Sequence, residues 1–378
     1  MNIVIDGRVW SKNAAGITTF MCCALTEWAR QRPADTFHVI LPSGLDPKVE
    51  IGETLPNLKL HDYSRYCPQW LPNIVNIQFL MPWLCRKLKA DLYYAPVPHL
   101  PFGLPHRTRT MVTVHDVVHI EMRDTMSWTN RLATRYFFAR AIKKADKLWA
   151  NSYYTRDKVD EYFPKRRCKE LFVGNAADRR MYYELHLDEE QKAAIREKHG
   201  IKGRFLLFVG SLEPRKNLAF LLSVIPELYR KHQIQLVVVG GKGWRNSDLR
   251  TVVEAPDFPQ EAVIFCGYLS NHELLELYNT ADSFVSAALT EGFGMPQLEA
   301  LRCGCPVVTA HNTAMIEVAK GKDGATTVEG YEVANWQKAI LRTLEEHPKV
   351  KQEQLAEYDW KDIIRRLQAS QNYINTKK

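Results

Sequence analysis

At 378 residues, 46% of them hydrophobic and 25% charged, the chain has the length and composition of two ordinary soluble domains. No apolar run reaches membrane-spanning length, and Met1 to Gly7 passes straight into a strand pattern without the regions of a signal peptide, so a cytoplasmic protein is expected. The net charge of +8 is uneven: residues 1–200 hold 30 Lys and Arg against 22 Asp and Glu, residues 201–378 hold 21 of each, and a basic partner surface is therefore expected only in the first part.

Eight cysteines, at positions 22, 23, 67, 85, 168, 266, 303 and 305, form no Cys-x-x-Cys pair and have no histidines at zinc spacing. Reduced thiols in apolar surroundings are expected, with no disulfide and no bound metal.

The first strand runs from Ile3 to Asp6. A loop ending at Gly16 follows, then a helix with apolar residues at Ile17, Phe20, Met21, Ala24, Leu25 and Trp28. A glycine opening the first helix after the first strand is a general feature of nucleotide-binding folds and of helix caps alike. Strands recur at Phe37 to Leu41, Leu58 to His61, Leu92 to Ala95, Thr110 to His115 and Leu148 to Asn151, with helical stretches between them. That alternation predicts a mostly parallel sheet covered on both faces.

His115 ends one of these strands, where ligands bind in open parallel sheets. It reads either as a substrate contact or as a core histidine satisfied by backbone, with Asp116 fixing the loop or the ring. Two basic, aromatic-rich segments, Trp70 to Lys89 and Trp128 to Lys147, fit an anionic membrane surface, and equally a solvated face over a core stripe. Nucleic acid is not expected as a partner, because none of the recognised motif spacings is present.

Residues 180–203 are polar and helix-prone and mark the connection between a first domain, 1–183, and a second, 184–359. The second restarts a nucleotide-fold pattern with Phe205 to Ser211. Arg215 and Lys216 then stand at the amino end of a helix, where cations oppose the helix dipole unless an anion is present. Later strands at Leu236 to Gly240 and Ala262 to Cys266 lead into the glycine loops at Gly241 and at Gly267, Tyr268 and Leu269. The segment Asn271 to Tyr278 has a helical leucine stripe suited to core packing.

A strand-like segment from Asp282 to Ala287 enters a loop containing Glu291, Gly292, Phe293 and Gly294, and Met295 to Arg302 is then helix-prone until Gly304 and Pro306. The amides at that helix start have no partner within the helix and favour an anion or a ring of hydroxyls. Glu299 lies eight residues beyond Glu291, roughly 12 Å along a helix, so the two carboxylates suit the two ends of one elongated ligand. Glu299 also sits among Leu298, Ala300, Leu301 and Cys303, where a carboxylate needs a partner.

The stretch from Glu291 through Pro296 and Glu299 to Val308 resembles the signature of the retaining, sugar-nucleotide-dependent glycosyltransferases of the fourth family, and the chain as a whole is similar to bacterial polysaccharide mannosyltransferases. The resemblance implies an α/β GT-B fold, two facing Rossmann-like domains with a cleft between them. It also implies that the last helix, within 360–378, crosses back onto the first domain. In such enzymes the first glutamate, here Glu291, faces the donor sugar, and the second, Glu299, holds the nucleotide ribose. The resemblance further implies that Gly16 faces the diphosphate and acceptor, that His115 touches the donor sugar, and that Arg215 and Lys216, within Pro214 to Asn217, bind the diphosphate. The loops at Gly241 and at Tyr268 and Leu269 would embrace the base, with Gly292, Phe293, Gly294 and Met295 lining the donor.

The implied reaction is hexose transfer with retention, without metal or other cofactor. Glu291 serves either as nucleophile or as an electrostatic stabiliser, and the resemblance favours the second. The expected donor is GDP-mannose, with a UDP-hexose as second choice, and the expected acceptor is a glycan or lipid-linked glycan at the inner membrane face. A sugar-nucleotide 2-epimerase shares the fold and is the rival reading.

Overall fold

The computed structural model describes residues 1–10, 15–41, 55–62, 73–121, 128–241 and 247–370. Cys67, Trp70, Lys242, Gly243 and residues 371–374 of the expected last helix lie outside them, as do the side chains of Trp128 and Arg131. The seven described cysteines are free thiols. The chain divides into two units, Met1–Ala176 together with the segment from Trp360 onward, and Ala177–Asp359.

The first unit holds β1 (Asn2–Asp6), β2 (Thr36–Leu41), β3 (Leu58–Asp62), β4 (Leu92–Ala95), β5 (Arg109–Val114), β6 (Lys147–Ala150) and β7 (Phe172–Val173), parallel and in the order β3-β2-β1-β4-β5-β6-β7. All five strands expected after the first are present, and β7 was too short to leave a pattern.

Alternate residues face opposite sides of this sheet. Val4, Tyr93, Val112, Val114 and Leu148 pack with Ile77, Met81 and Leu84 of the Asn73–Lys87 helix and with Phe138, Ala141 and Ile142 of the Trp128–Lys144 helix. On the other side an aromatic cluster forms, with Phe20 edge-on to Trp149 at 5.1 Å and Trp28 to Phe37 at 5.6 Å. Trp360, which opens the Trp360–Ala369 helix, joins it 5.1 Å from Phe20, and Gln31 donates to the Lys361 carbonyl at 2.9 Å. This packing makes the last helix part of the first unit.

The second unit holds β8 (Phe205–Val209), β9 (Gln235–Val239), β10 (Val263–Gly267), β11 (Ser283–Ser286), β12 (Val307–Ala310) and β13 (Ala325–Val328), parallel and in the order β10-β9-β8-β11-β12-β13. Leu206, Phe208, Leu236, Val238 and Val285 face the Leu218–His232 and Val333–Glu346 helices; Phe205, Leu207, Val237, Val239 and Phe284 face the Asn271–Thr280 and Met295–Arg302 helices. Residues 177–183, expected with the first domain, group with this unit. Tyr182 packs edge-on to Tyr278 at 5.7 Å, and the Leu185 amide donates to Asn279 Oδ1 at 2.7 Å.

In both sheets the strand order reverses once, between β1 and β4 and between β8 and β11. Loops leaving two such strands diverge and open a crevice beyond their carboxyl ends. In the second unit the neighbouring loops are laced together at glycines. Gly210 donates to the Val239 carbonyl at 2.9 Å and Gly240 to the Gly267 carbonyl at 2.8 Å, while a Cβ on Gly240 would fall 1.9 Å from the Gly210 oxygen.

Gly240→Ala should therefore lower stability by about 1–3 kcal/mol or more, as overpacking against backbone does. Gly241→Ala, whose added Cβ meets nothing within 4 Å, should stay within about 0.5 kcal/mol. Urea unfolding of both variants measures this; equal midpoints would contradict the close approach.

Candidate functional site

Two loops meet at the β8–β11 reversal. The chain leaves β8 through Gly210 to Glu213, makes a short turn over Pro214–Lys216, and enters the Leu218–His232 helix through Asn217, which adopts the left-handed conformation at φ 52°. It leaves β11 through Ala287 to Glu291 and turns at Gly294, φ 88°, into the Met295–Arg302 helix. Gly294 is glycine for that φ. The Leu289 amide donates to the Arg215 carbonyl at 2.8 Å, so the two loops are joined by backbone as well.

Arg215, Lys216 and Glu291 converge here. Lys216 Nζ donates to Glu291 Oε1, and Arg215 Nη1 donates to Glu291 Oε2 at 3.3 Å. Lys216 and Glu291 are both buried. Arg215 also donates through Nε to Glu213 Oε2 at 2.7 Å; burial works against ionisation of Glu213, but the guanidinium outweighs it and holds that carboxyl below its usual range. Breaking a buried pair by removing one partner strands the other charge, so this cluster is held tightly until another ion replaces a member.

The Glu291 loop is braced from a side the sequence did not reveal. The Glu291 amide donates to Thr313 Oγ1 at 3.2 Å, and Thr313 is a β-branched residue at φ 47°, a strained conformation of the kind that collects at functional sites. Asn312 Nδ2 donates to the Ala288 carbonyl at 2.9 Å and to the Tyr331 hydroxyl at 2.8 Å, and that hydroxyl donates to Ala288 at 3.1 Å.

Glu299, in the second turn of its helix, is buried and finds its partner in Tyr278, whose hydroxyl donates to Oε2 at 2.9 Å. Tyr278 thus does more than the core packing expected of its helix. Burial pushes the Glu299 carboxyl up to about 7, against the opposing pull of the Tyr278 hydrogen bond and the Lys216 ammonium. One ammonium therefore acts on both glutamates that the sequence singled out.

The remaining expected positions divide. Gly292 is buried, and Phe293 turns its ring inward, edge-on to Tyr358 at 5.7 Å. Met295 opens its helix half-buried. Gly241 is exposed; Tyr268, after Gly267 at φ 68°, is exposed, whereas Leu269 packs against the core.

In the first unit, Gly16 is the exposed second residue of the Ala15–Gln31 helix, and no packing requires a glycine there. His115 has both ring nitrogens engaged. Nε2 lies 2.7 Å from the Pro96 carbonyl, which can only accept, so Nε2 carries the proton and Nδ1 accepts from Asn151 Nδ2 at 2.9 Å. Burial lowers its pKa. Both nitrogens are thus satisfied within the protein, one of them by backbone, and a ligand reaches them only by exchanging one of those partners. Asp116 Oδ1 accepts from the Val118 amide at 3.2 Å and so caps the short Val118–Glu121 helix. Among the described residues, no three or more His, Cys, Asp or Glu side chains are grouped to hold a metal ion.

A family profile described as glycosyl transferases group 1 matches residues 191–361. The chain carries a glycosyl transferases group 1 domain. Arg215, Lys216, Glu291 and Glu299 fall inside the matched residues, Gly16 and His115 outside them. The chain is 26% identical over 241 residues to the serotype-specific mannosyltransferase WbdA of Escherichia coli, covering 62% of this chain and 29% of WbdA. It is 27% identical over 245 residues to the O-antigen chain mannosyltransferase B of Escherichia coli, covering 62% and 61%. The match thus spans less than two thirds of either relative's length. Anabaena Alr3699/HepE, solved in complex with UDP and glucose, superposes with a TM-score of 0.74 at 17% identity, covering 99% of this chain and 100% of that one. The group 1 domain and its companion unit therefore have the GT-B fold, two Rossmann-like parallel-sheet units.

A carboxyl raised to about 7 in the folded protein keeps a proton that the unfolded chain releases near pH 4.3, so its contribution to stability falls as pH rises between those values. Glu299→Gln removes that cost. Relative to the unaltered protein, the variant should be more stable at pH 8, by up to about 3 kcal/mol, and nearly equal at pH 4. Denaturant titrations at both pH values check this, and a gain independent of pH would contradict it.

Proposed function

We propose that the chain transfers a hexose from a nucleoside-diphosphate sugar to an acceptor hydroxyl with retention at the anomeric carbon. The observation that carries the reading is the placement of Arg215 and Lys216, within a group 1 domain, before the amino end of a 15-residue helix and at the β8–β11 reversal. Cations at a helix start oppose its dipole, and a diphosphate bound there would satisfy both.

Glu291 and a diphosphate are alternative partners for the same two cations. On donor binding, the phosphate oxygens take Arg215 and Lys216, and the Glu291 carboxylate is left to face the sugar. The bond between the anomeric carbon and the diphosphate oxygen breaks, and Lys216 and Arg215 meet the charge that grows on the leaving group. The acceptor oxygen bonds to the same face of that carbon, its proton passes to the departing phosphate, and Glu291 stabilises the positive charge in between. The amides from Gly292 to Met295 hold sugar hydroxyls, Glu299 the ribose, and Tyr268 with Gly241 the base.

Mannose from GDP-mannose is the proposed donor, supported by the two Escherichia coli mannosyltransferases, and a glycan or lipid-linked glycan of a bacterial surface polysaccharide is the proposed acceptor. A UDP-hexose is the second choice, suggested by the UDP and glucose bound to HepE. A screen of sugar nucleotides by nucleotide release, with the anomeric configuration of the product read by NMR, tests the reading. GDP release with an α-linked mannosyl product is expected. Preference for a UDP-sugar would move the donor assignment, and epimerised sugar without transfer would overturn glycosyl transfer itself.

Lys216→Ala leaves Glu291 to Arg215 alone and should lower stability while keeping the fold. It should weaken nucleotide binding less than turnover, which should fall at least about 100-fold, since the lysine meets charge that grows further in the transition state. Arg215→Ala should behave similarly, and the double variant should cost less than the product of the two because both serve one leaving group. Near-normal turnover in Lys216→Ala would remove the diphosphate assignment.

The same two cations supply the charge that a divalent ion would otherwise supply, so we expect transfer to persist in excess chelator. Loss of activity in chelator, restored by magnesium or manganese, would show a metal requirement.

A further inference from the structure

We propose that the first unit docks onto an anionic lipid surface through an aromatic and basic patch built on the Asn73–Lys87 and Trp128–Lys144 helices. The inward faces of both helices are filled by core residues, among them Met81 and Leu84 on one and Phe138 and Ile142 on the other. The aromatics on their outer faces are surplus to that core. Phe79 is 74% exposed, Trp83 44%, Tyr136 58%, and Phe102, in the loop after β4, 44%. Large side chains left this exposed in one region mark an interaction surface.

The four belong to one surface. Phe79 and Trp83 are one turn apart on the same helix face. The Phe102 amide donates to Gln78 Oε1 at 2.8 Å and Arg86 Nη2 to the Gly103 carbonyl at 2.9 Å, which holds the Phe102 loop against that helix. The Arg140 guanidinium lies 3.9 Å over the Phe102 ring, and Phe137 links Phe102, at 6.5 Å, to Tyr136, at 5.5 Å.

Charge selects the occupant. The two helices carry seven Lys or Arg and no Asp or Glu, and Lys87 sits 4.7 Å over the Trp83 ring. Aromatic rings with cations above them suit a headgroup layer, where the ring enters the acyl boundary and the cation meets lipid phosphate. Among the described residues no helix is long and apolar enough to cross a membrane, so the patch lies on the surface. The inference rests on the first unit alone and stands whichever sugar is transferred, because its test uses neither donor nor acceptor.

The test is co-sedimentation of the full chain with vesicles of phosphatidylglycerol and phosphatidylcholine, against phosphatidylcholine alone, at low and high salt. The protein should pellet with the anionic vesicles, should be released by salt, and should shift its tryptophan emission to the blue on binding. Phe79→Ser with Trp83→Ser changes only exposed side chains and should weaken binding at least about 10-fold. Equal binding to neutral vesicles, no binding to either, or unchanged binding by the double variant would overturn the proposal. So would a vesicle-free oligomer that the double variant dissolves, since the patch would then join copies of this chain.

Discussion

The second unit depends on a charge cluster, Arg215 and Lys216 with Glu213 and Glu291, gathered where two of its loops meet. Parallel strands aim their carboxyl ends into the β8–β11 reversal, and the first helix after β8 brings its positive end to the same place. Arg215 and Lys216 add two further cations, and in this structure Glu291 answers them. Such a cluster has a defined shape but an exchangeable member. Under the proposed function a diphosphate would compete with the carboxylate for the same donors, and its arrival would also release the group proposed to face the sugar.

The first unit shows that topology alone does not produce this. It has the same reversal, between β1 and β4, yet the charge at the end of β1 is Asp6, fully buried and gripped by Arg8 through Nε and Nη2 at 2.8 Å each. One carboxylate with one bidentate guanidinium is a charge-balanced pair. In the second unit Arg215 is shared between Glu213 and the buried Glu291, Lys216 also donates to Glu291, and the lysine pulls on Glu299 as well. The same strand order thus carries a single bidentate pair in one unit and a shared cluster of cations and carboxylates in the other, and the difference lies in a few side chains.

That division explains what was legible beforehand. Strand positions were readable because both sheets are parallel and buried on both faces, which leaves runs such as Phe205 to Val209 and Leu236 to Val239. The cations were readable because they sit where a helix dipole disfavours them. Tyr278 as partner to Glu299 was not readable, because 21 residues and a strand separate them and a tyrosine in a leucine stripe looks like packing. Thr313 was hidden for a related reason: its left-handed φ comes from the Asn312 and Tyr331 network around it and leaves no local signal. Phe293 and Leu269 were assigned to the ligand by motif, yet their side chains pack into the core, so any contact they make with a ligand would be through backbone.

His115 carries the argument furthest. Its position at a strand's carboxyl end permitted either role, and the geometry fixes a neutral ring with its proton on Nε2, held between Pro96 and Asn151. Protonating Nδ1 would turn the Asn151 amide and the ring into two facing donors, and burial already disfavours the charged ring. A ring so held is a poor general base. What it offers is a fixed, uncharged ring whose Nε2 proton is given to the Pro96 carbonyl and whose tautomer is set by Asn151. A chemistry that needs no protein base, with the departing phosphate taking the proton, is compatible with a histidine in this state.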